Sequence, residues 1–466
     1  MRGRRSARAS SRRTMSSGRT GDGATKLRKP WLRSRRPVPR LVMQPVERFL
    51  QLEAGSAALL LGAALVALLW ANLAEGSYES FWTTPVSLEI GSFELHEEVR
   101  DVINDLLMAV FFYVVALEVK RELIFGSLRD RRSALVPAAA AFGTMIGGAL
   151  AYLAVNLVAD GDLRGWAIPV ATDIAFAVGV LGLAGRRAPR ELRAFMLTLA
   201  VVDDLGTIIV IAVFFSQGIA WAWLAAAIGV VAIIVIAQRI GIRALAPYAL
   251  LAAALWLTVF ESGVHATVAG VVLGFLTPAA AFLPGRSVSA IAEERLANLS
   301  HATSEPDAEA LLETSRLMRE AVSPLERMQE AVHPWSAYLI LPLFALANAG
   351  VAFSLADIAE SLRSPVGAGV ALGLVVGAPV GGFLLAWLIV RAGPARLPSG
   401  LDWPAIGGVT PLKGIGFTIA IFISTLAFEE QELQDQSKVA ILVGSTVAAV
   451  IGLAVLFTRH HLAQRR

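Results

Sequence analysis

The sequence predicts an all-α polytopic membrane protein with twelve transmembrane helices. Of its 466 residues 56% are hydrophobic and only 17% charged, and its mean hydropathy of +0.62 is far above that of soluble domains. Twelve apolar runs approach the roughly 20 residues that a helix needs to cross a bilayer. They lie near 53–74, 103–119, 134–158, 165–184, 193–216, 218–237, 245–260, 262–278, 335–353, 365–391, 405–427 and 438–458. The loops between them alternate in charge, which is the third observation and the one that fixes orientation, because basic residues collect on the cytoplasmic side.

Residues 1–45 are dense in arginine, serine and glycine and contain no long apolar stretch, so they read as a disordered basic cytoplasmic tail and not as a signal peptide. Their charge suits a tether to anionic lipid better than a nucleic-acid site, and no nucleic-acid partner is expected. Residues 46–466 form one twelve-helix domain. With the N-terminus inside, the loops expected in the cytoplasm carry KRELIFGSLRDRR (120–132), GRRAPRELR (185–193), QRIGIR (238–243), the long 279–334 segment, RAGPAR (391–396) and the tail TRHHLAQRR (458–466). Those expected outside are acidic or short: ADGD (159–162), SLADIAE (354–360) and EEQELQDQ (429–436). A miscounted helix would invert this alternation downstream, and it does not invert. Both termini are therefore expected in the cytoplasm.

Two excursions stand out. VSLEIGSFEL (86–95) alternates apolar and polar residues about a central Gly-Ser, the pattern of a β-hairpin on the outer face. EERLANL and EALLETSRLMREAV, within 279–334, space their leucines helically among charges and predict one or two amphipathic cytoplasmic helices. The chain has no cysteine, which excludes disulfides and thiolate metal sites. No nucleotide-binding motif is visible and no cofactor is expected.

Most of the apolar runs hold no ionisable side chain, so the exceptions are informative. Asp105 lies in INDLLMAV, Asp173 in PVATDIAF, Asp203 and Asp204 in VVDDLG, and Lys413 in TPLKGIGF. A carboxylate at a helix centre costs roughly 2.5–3.5 kcal/mol on insertion scales, so these groups must face a cavity, a partner or each other. Neighbouring helical positions point about 100° apart, so one aspartate of the doublet can enter a cavity while the other meets a different helix. A buried polar network gluing helices together is the plainer alternative. Pro169 and Pro411 interrupt the fourth and eleventh runs, the latter among Gly408, Gly414 and Gly416. Each interrupted run is the middle member of a triplet, the placement that an inverted-topology repeat of two three-helix units gives, with discontinuous helices crossing at mid-membrane.

These residues sit in stretches that resemble a known family. FFYVVALEVKREL (111–123), GWAIPVATDIAFAVGVL (165–181), VVDDLGTIIV (201–210), SGVHATVAGVVLGFLTP (262–278), HPWSAYLILPLFALANAGV (333–351) and GIGFTIAIFISTLAF (414–428) are similar to the NhaA family of sodium/proton antiporters. That family is itself a type example of the inverted repeat, so the crossing helices are implied by the resemblance as much as by the prolines. The resemblance implies that Asp203 and Asp204 bind Na+ and H+, with Thr172 and Asp173 on the unwound part of helix four nearby. It places Glu118, Arg121 and Glu122 at the cytoplasmic mouth, where pH regulation is attributed, and it links His265 to the pH response. We group Asp105 with these regulatory residues. Glu118 to Glu122 also fit an ordinary helix end with i,i+4 pairing, and His265 reads more simply as a satisfied packing histidine. The outer hairpin resembles the family's dimer contact, which implies a homodimer.

Two positions depart from the family pattern. The tenth run reads VVGAPVGG, with Ala378 where relatives carry a lysine that pairs with the doublet, while Lys413 stands in the eleventh run, where relatives often have no charge. Lys413 is expected to supply the missing positive charge; a lysine snorkelling from a helix end is the alternative. Gln329-Glu330 replaces a glutamate and a histidine, so the pH set-point does not transfer. The expected activity is exchange of intracellular Na+ or Li+ for external H+ across the bacterial inner membrane, pH-regulated and electrogenic, serving sodium and pH homeostasis. An aspartate-dependent membrane enzyme fits less well, because no Gly-x-Gly-Asp motif is present and DDLGT lacks the third acid of a DDxxD site. A passive cation channel would need no proton counter-movement.

Overall fold

Inside a bilayer a backbone N–H or C=O has no water to turn to, so the apolar runs close into helices. The computed structural model describes residues 53–90, 93–184, 189–216, 218–283, 288–291, 293–294, 308–352, 354–393, 395–398 and 400–464. The basic tail, the Gly-Ser tip expected at 91–92, the first arginines of the 185–193 loop and most of EERLANL lie outside the described residues.

In chain order, α1 (Glu53–Leu73) leads to the short α2 (Glu75–Trp82). The buried Tyr78 of α2 donates to the Leu346 carbonyl at 2.9 Å and accepts from the Gly350 N–H at 3.1 Å. Strands β1 (Pro85–Ile90) and β2 (Phe93–Glu98) pair antiparallel, from Pro85 opposite Glu98 to Ile90 opposite Phe93. A single long helix, α3 (Val99–Ile124), follows and contains a π-helical turn at Ile103–Leu107. Arg100 at its start holds Glu79 of α2 through two hydrogen bonds of 2.9 and 2.8 Å, which keep the Glu79 carboxyl below the usual carboxylate range. Next come α4 (Arg131–Val158), a 3₁₀ segment (Leu163–Val170) and α5 (Ile174–Leu183).

The chain continues through α6 (Arg190–Phe214), α7 (Trp221–Ile240), α8 (Leu245–Glu261) and α9 (Thr267–Leu276). Helix α7 stops at Gly241, whose φ of 84° is a left-handed cap that glycine adopts without a Cβ clash. Beyond the partly described segment after α9 come α10 (Ala308–Glu320) and α11 (Pro324–Trp335), and then a π-helical turn at Ser336–Ile340 leads into α12 (Leu341–Asn348). Helix α10 matches the amphipathic stretch seen in the sequence, and its Glu320 pairs with Arg243 at 2.7 Å. The last elements are α13 (Leu355–Arg363), α14 (Pro365–Arg391) with a π-helical turn at Gly373–Gly377, α15 (Trp403–Val409), a 3₁₀ segment (Thr410–Gly414), α16 (Phe417–Ala427) and α17 (Gln431–Gln464).

Seven of the described helices are long and apolar enough to cross a membrane, and nine if each of two bent pairs counts as one span. The runs expected at 245–260 and 262–278 give helices of 17 and 10 residues, and the run at 335–353 is divided between a π turn and the eight residues of α12. The reason is local: Gly263, at a φ of 78°, turns the chain before α9, and Thr277-Pro278 ends it.

Packing is set by small residues. Helices α4 and α14 make the most extensive contact in the fold, through Gly143 and Gly147 on one and Gly377 and Gly381 on the other. A Cβ at Gly143 would land on the Gly381 carbonyl, and one at Gly147 on the Gly377 carbonyl. Gly270 and Gly274 of α9 bring it equally close to the backbone of α3 at Ala109 and Tyr113. Such small-xxx-small faces let van der Waals contact and backbone polarity replace the hydrophobic drive that lipid removes. The outward faces remain apolar, as Leu65, Val66 and Leu69 of α1 illustrate.

A substitution test separates the seam from the lipid face. Gly147→Ala and Gly381→Ala should each cost about 1–3 kcal/mol by overpacking and lower the apparent Tm in detergent by several degrees. Gly62→Ala, where a Cβ meets nothing within 4 Å, should leave Tm unchanged.

Candidate functional site

Pro169 and Pro411 each remove a backbone donor, and at each place the helix fails to close. Leu163–Val170 and Ile174–Leu183 meet at 44°, and Trp403–Gly414 and Phe417–Ala427 at 45°. The two interruptions satisfy one another. The Asp173 N–H donates to the Ile415 carbonyl at 2.7 Å, and the Thr172 hydroxyl donates to the Lys413 carbonyl at 2.7 Å. The Gly416 N–H donates to Ser445 Oγ of α17 at 3.2 Å. Asp173 also caps two helices at once. Its Oδ1 accepts from the Phe176 N–H of α5 at 3.0 Å, and its Oδ2 accepts from the Thr418 N–H of α16 at 3.2 Å and from the Thr418 hydroxyl at 2.5 Å. Both positive half-helix ends therefore share one carboxylate.

Helix α6 carries the doublet to this crossing. Asp203, Asp204 and Lys413 are 1%, 6% and 1% exposed. Lys413 Nζ donates to Asp203 Oδ2 at 2.9 Å, which joins the 3₁₀ segment of the eleventh run to α6. The other oxygen, Asp203 Oδ1, is buried and has no partner. Asp204 forms no hydrogen bond among the described residues, and the charges acting on it are those of Asp203, Glu118, Lys413 and Asp173. Ala378 is fully buried in α14 and contributes no charge.

The structure thus gathers Thr172, Asp173, Asp203, Asp204 and Lys413 in one place. Asp173 spends its carboxylate on capping two helices, whereas Asp203 Oδ1 accepts no hydrogen bond and Asp204 forms none among the described residues. Thr172 uses its proton on a carbonyl, which leaves its lone pairs free to accept a cation. Among the described residues no three His, Asp or Glu side chains converge to cage a metal ion, so a cation here would rest on the two doublet carboxylates and neutral oxygens.

The other expected residues separate into two groups. Glu118 lies among Arg121, Glu122 and His333 and also acts on Asp204. Asp105, thirteen residues earlier on α3 and therefore about 20 Å away along the axis, faces His265 instead, with 3.7 Å between Oδ1 and Nε2. His265 Nδ1 shares a 2.9 Å hydrogen bond with Thr267 Oγ1, and its ring meets Phe422 edge-on at 5.3 Å. Asp105 and His265 form a pair of their own, apart from the Glu118 group. Thr418 and Ser445 escaped sequence reasoning; the signal for Thr418 was its place in the first turn after the eleventh run's break.

Known proteins match this chain over most of its length. The family profile described as Na+/H+ antiporter 1 matches residues 47–456. A relative from Rhodopirellula baltica named Na(+)/H(+) antiporter NhaA is 44% identical over 423 residues, covering 89% of this chain and 94% of the relative. One from Bordetella petrii with the same name is 44% identical over 425 residues, covering 88% and 89%. One from Yersinia pseudotuberculosis, again named Na(+)/H(+) antiporter NhaA, is 42% identical over 414 residues, covering 88% and 95%. With the match running through both broken helices and the aspartate doublet, the chain belongs to the NhaA family of sodium/proton antiporters.

Proposed function

We propose that this chain exchanges intracellular Na+, or Li+, for external H+ across the bacterial inner membrane, with Asp203 and Asp204 as the carboxylates that carry the ions. The observation that carries this reading is the unequal use of the Asp203 oxygens: Oδ2 is paired with Lys413 at 2.9 Å, while Oδ1 is buried without a partner beside Asp204. A sealed oxygen with nothing to bind is costly unless a ligand visits it. Sodium and lithium are hard cations that prefer oxygen, and a proton uses the same lone pairs. One pocket then holds protons or a metal ion in turn. If it opens to one side at a time and moves only when loaded, that competition couples the two fluxes.

Lys413 offsets one of the two doublet charges, the part that Ala378 cannot play. Breaking a buried ion pair by removing one partner costs about 3–5 kcal/mol, because the remaining charge stays unpaired in a dry place. Two carboxylates can give up more than one proton per sodium ion, so the cycle moves net charge and responds to voltage. Under this reading the chain crosses the membrane twelve times, with runs three to five and ten to twelve as inverted repeats, both termini in the cytoplasm, and β1 and β2 outside as a homodimer contact. Glu118, Arg121 and Glu122 act as the pH-sensitive inner approach, with Asp105 and His265 as a second, outer pair.

Everted vesicles test this directly. Added sodium or lithium should collapse a preformed ΔpH with the wild type. Asp203→Asn and Asp204→Asn should abolish the response, and Lys413→Ala should reduce it by about tenfold or more while expression stays normal. Intact exchange in Lys413→Ala would remove the lysine from the mechanism. Calorimetry in buffers of different ionisation enthalpy should show sodium binding releasing protons, and no release at any pH would contradict shared occupancy. An imposed membrane potential should change the exchange rate in proteoliposomes; indifference to voltage would contradict unequal charge transfer.

A further inference from the structure

Helical geometry singles out one more residue beside the doublet. Successive positions on α6 turn by about 100°, so Asp203 and Asp204 bound a sector, and the nearest positions that point into it lie one turn away. One turn back that position is Ala200. One turn on it is Thr207, about 40° from the direction of Asp203 and about 60° from that of Asp204. Each Cα–Cβ bond tilts toward the helix N-terminus, so the Thr207 side chain leans back toward the carboxylates, whereas the methyl group of Ala200 leans away from them. Residues three and four apart on a helix stand about 5–6 Å from one another at Cβ, close enough for one small ion to touch both. Gly206 seats α6 against Met145 of α4, which a Cβ there would strike, and so holds the helix in this rotation.

The hydroxyl of Thr207 is uncommitted. A threonine inside a helix can spend its hydroxyl on the carbonyl four residues earlier. Thr198 of the same helix does so, donating to the Ala194 carbonyl at 2.9 Å, and Thr258, Thr277 and Thr446 donate in the same way at 2.8 Å. Thr207 is 2% exposed, yet its hydroxyl has no hydrogen-bond partner among the described residues and does not turn to the Asp203 carbonyl. One turn back, Asp203 Oδ1 is in the same condition. Two buried oxygens without partners, facing one sector, are costly unless a ligand visits both. The chemistry of the two transported species says which one needs the hydroxyl. A proton is held by one carboxylate oxygen, whereas an alkali cation stripped of water needs several oxygens, and a hydroxyl adds one without adding charge. Lithium, the smaller ion, takes fewer oxygens at shorter distances and is satisfied close to the carboxylates. Sodium forms longer bonds and reaches across the turn.

We infer that Thr207 is a further ligand of the transported cation, a neutral oxygen that completes the site of the doublet and favours sodium over lithium. The inference rests on the antiport reading and adds to it one residue and a selectivity.

Thr207→Val keeps the branching of the side chain and removes the oxygen. Calorimetry on the purified protein should show sodium binding weakened about three- to tenfold, as for the loss of one polar contact, with lithium weakened less and the number of protons released per ion unchanged. In everted vesicles the sodium concentration that half-collapses a preformed ΔpH should rise by the same factor, while the response at saturating sodium stays within about twofold of wild type, the signature of lost ion binding without lost turnover. Thr207→Ser returns the oxygen and should restore sodium affinity. Should the valine variant fail to fold, Thr207→Ala removes the same oxygen with no added bulk and is read in the same way. Unchanged sodium affinity without the hydroxyl, an equal loss for sodium and lithium, or no recovery with serine would each overturn the assignment. Wild-type vesicles run in parallel separate the two readings. Absence of exchange there defeats antiport itself, whereas normal wild-type exchange together with any of the three adverse results defeats the role of Thr207 alone.

Discussion

Everything at the centre of this fold answers to one constraint, that a peptide group left open at mid-membrane must find a partner within the protein. Pro169 and Pro411 open such groups in two runs, and the structure closes them against each other. The Asp173 N–H goes to the Ile415 carbonyl, the Thr172 hydroxyl to the Lys413 carbonyl, and the Gly416 N–H to Ser445. Neither break would be tolerable alone in lipid. Together they make a dry crossing of half-helices whose positive ends require a carboxylate, and Asp173 supplies it to both. The residue that looked from sequence like an ion ligand is thus first the keystone that makes an irregular backbone permissible.

With Asp173 committed, the doublet on α6 keeps a buried carboxylate oxygen without a partner, and its charge must be balanced. Lys413 does this from the eleventh run, where the chain has already left helical geometry and can aim a side chain across to Asp203. The tenth run is left free of charge, and it is put to another use. Leu374, in the π turn of α14, presents its carbonyl where a Cβ on Gly414 would sit, while Gly373 beside it receives the ring of Pro169. The widened turn therefore touches both interruptions at once, in keeping with the tendency of π turns to mark functional places in helices. With the cation on the eleventh run, the tenth run serves packing.

The legible part of the fold was the part written in hydropathy and charge. The apolar runs, the prolines that break two of them, the doublet and the lone lysine could all be read from the sequence, because each is a departure from an otherwise apolar run. Thr418 and Ser445 could not, since a hydroxyl in FTIAIF or VGSTV costs little in a helix and gives no sign of whether it points at an open peptide group. The glycine seam of α4 and α14 was written as Gly-xxx-Gly at 143–147 and again at 377–381, but a pairing of two such faces is a fact of three dimensions. That Asp105 and Glu118 stand apart along α3 follows from the helical rise, but that Asp105 faces His265 could not be read from hydropathy. The length of α9 was not legible, because hydropathy does not count the residues taken by a turn like that at Gly263.

The separation of packing from charge has a consequence for how such a site tolerates change. Around the pocket, position is fixed by volume: Gly148 against the Pro169 carbonyl, Gly373 against its ring, Gly414 against Leu374. Inside the pocket, charge is fixed by a single ion pair and one unpartnered oxygen. A dry ion pair contributes little net stability while both charges are present, because desolvation offsets most of its Coulombic gain, so the Lys413–Asp203 pair serves the charge of the pocket more than the stability of the fold. The glycines serve the fold itself, because a single added methyl group meets backbone. The scaffold thus rests on close packing and the pocket on charge, two forces that act independently.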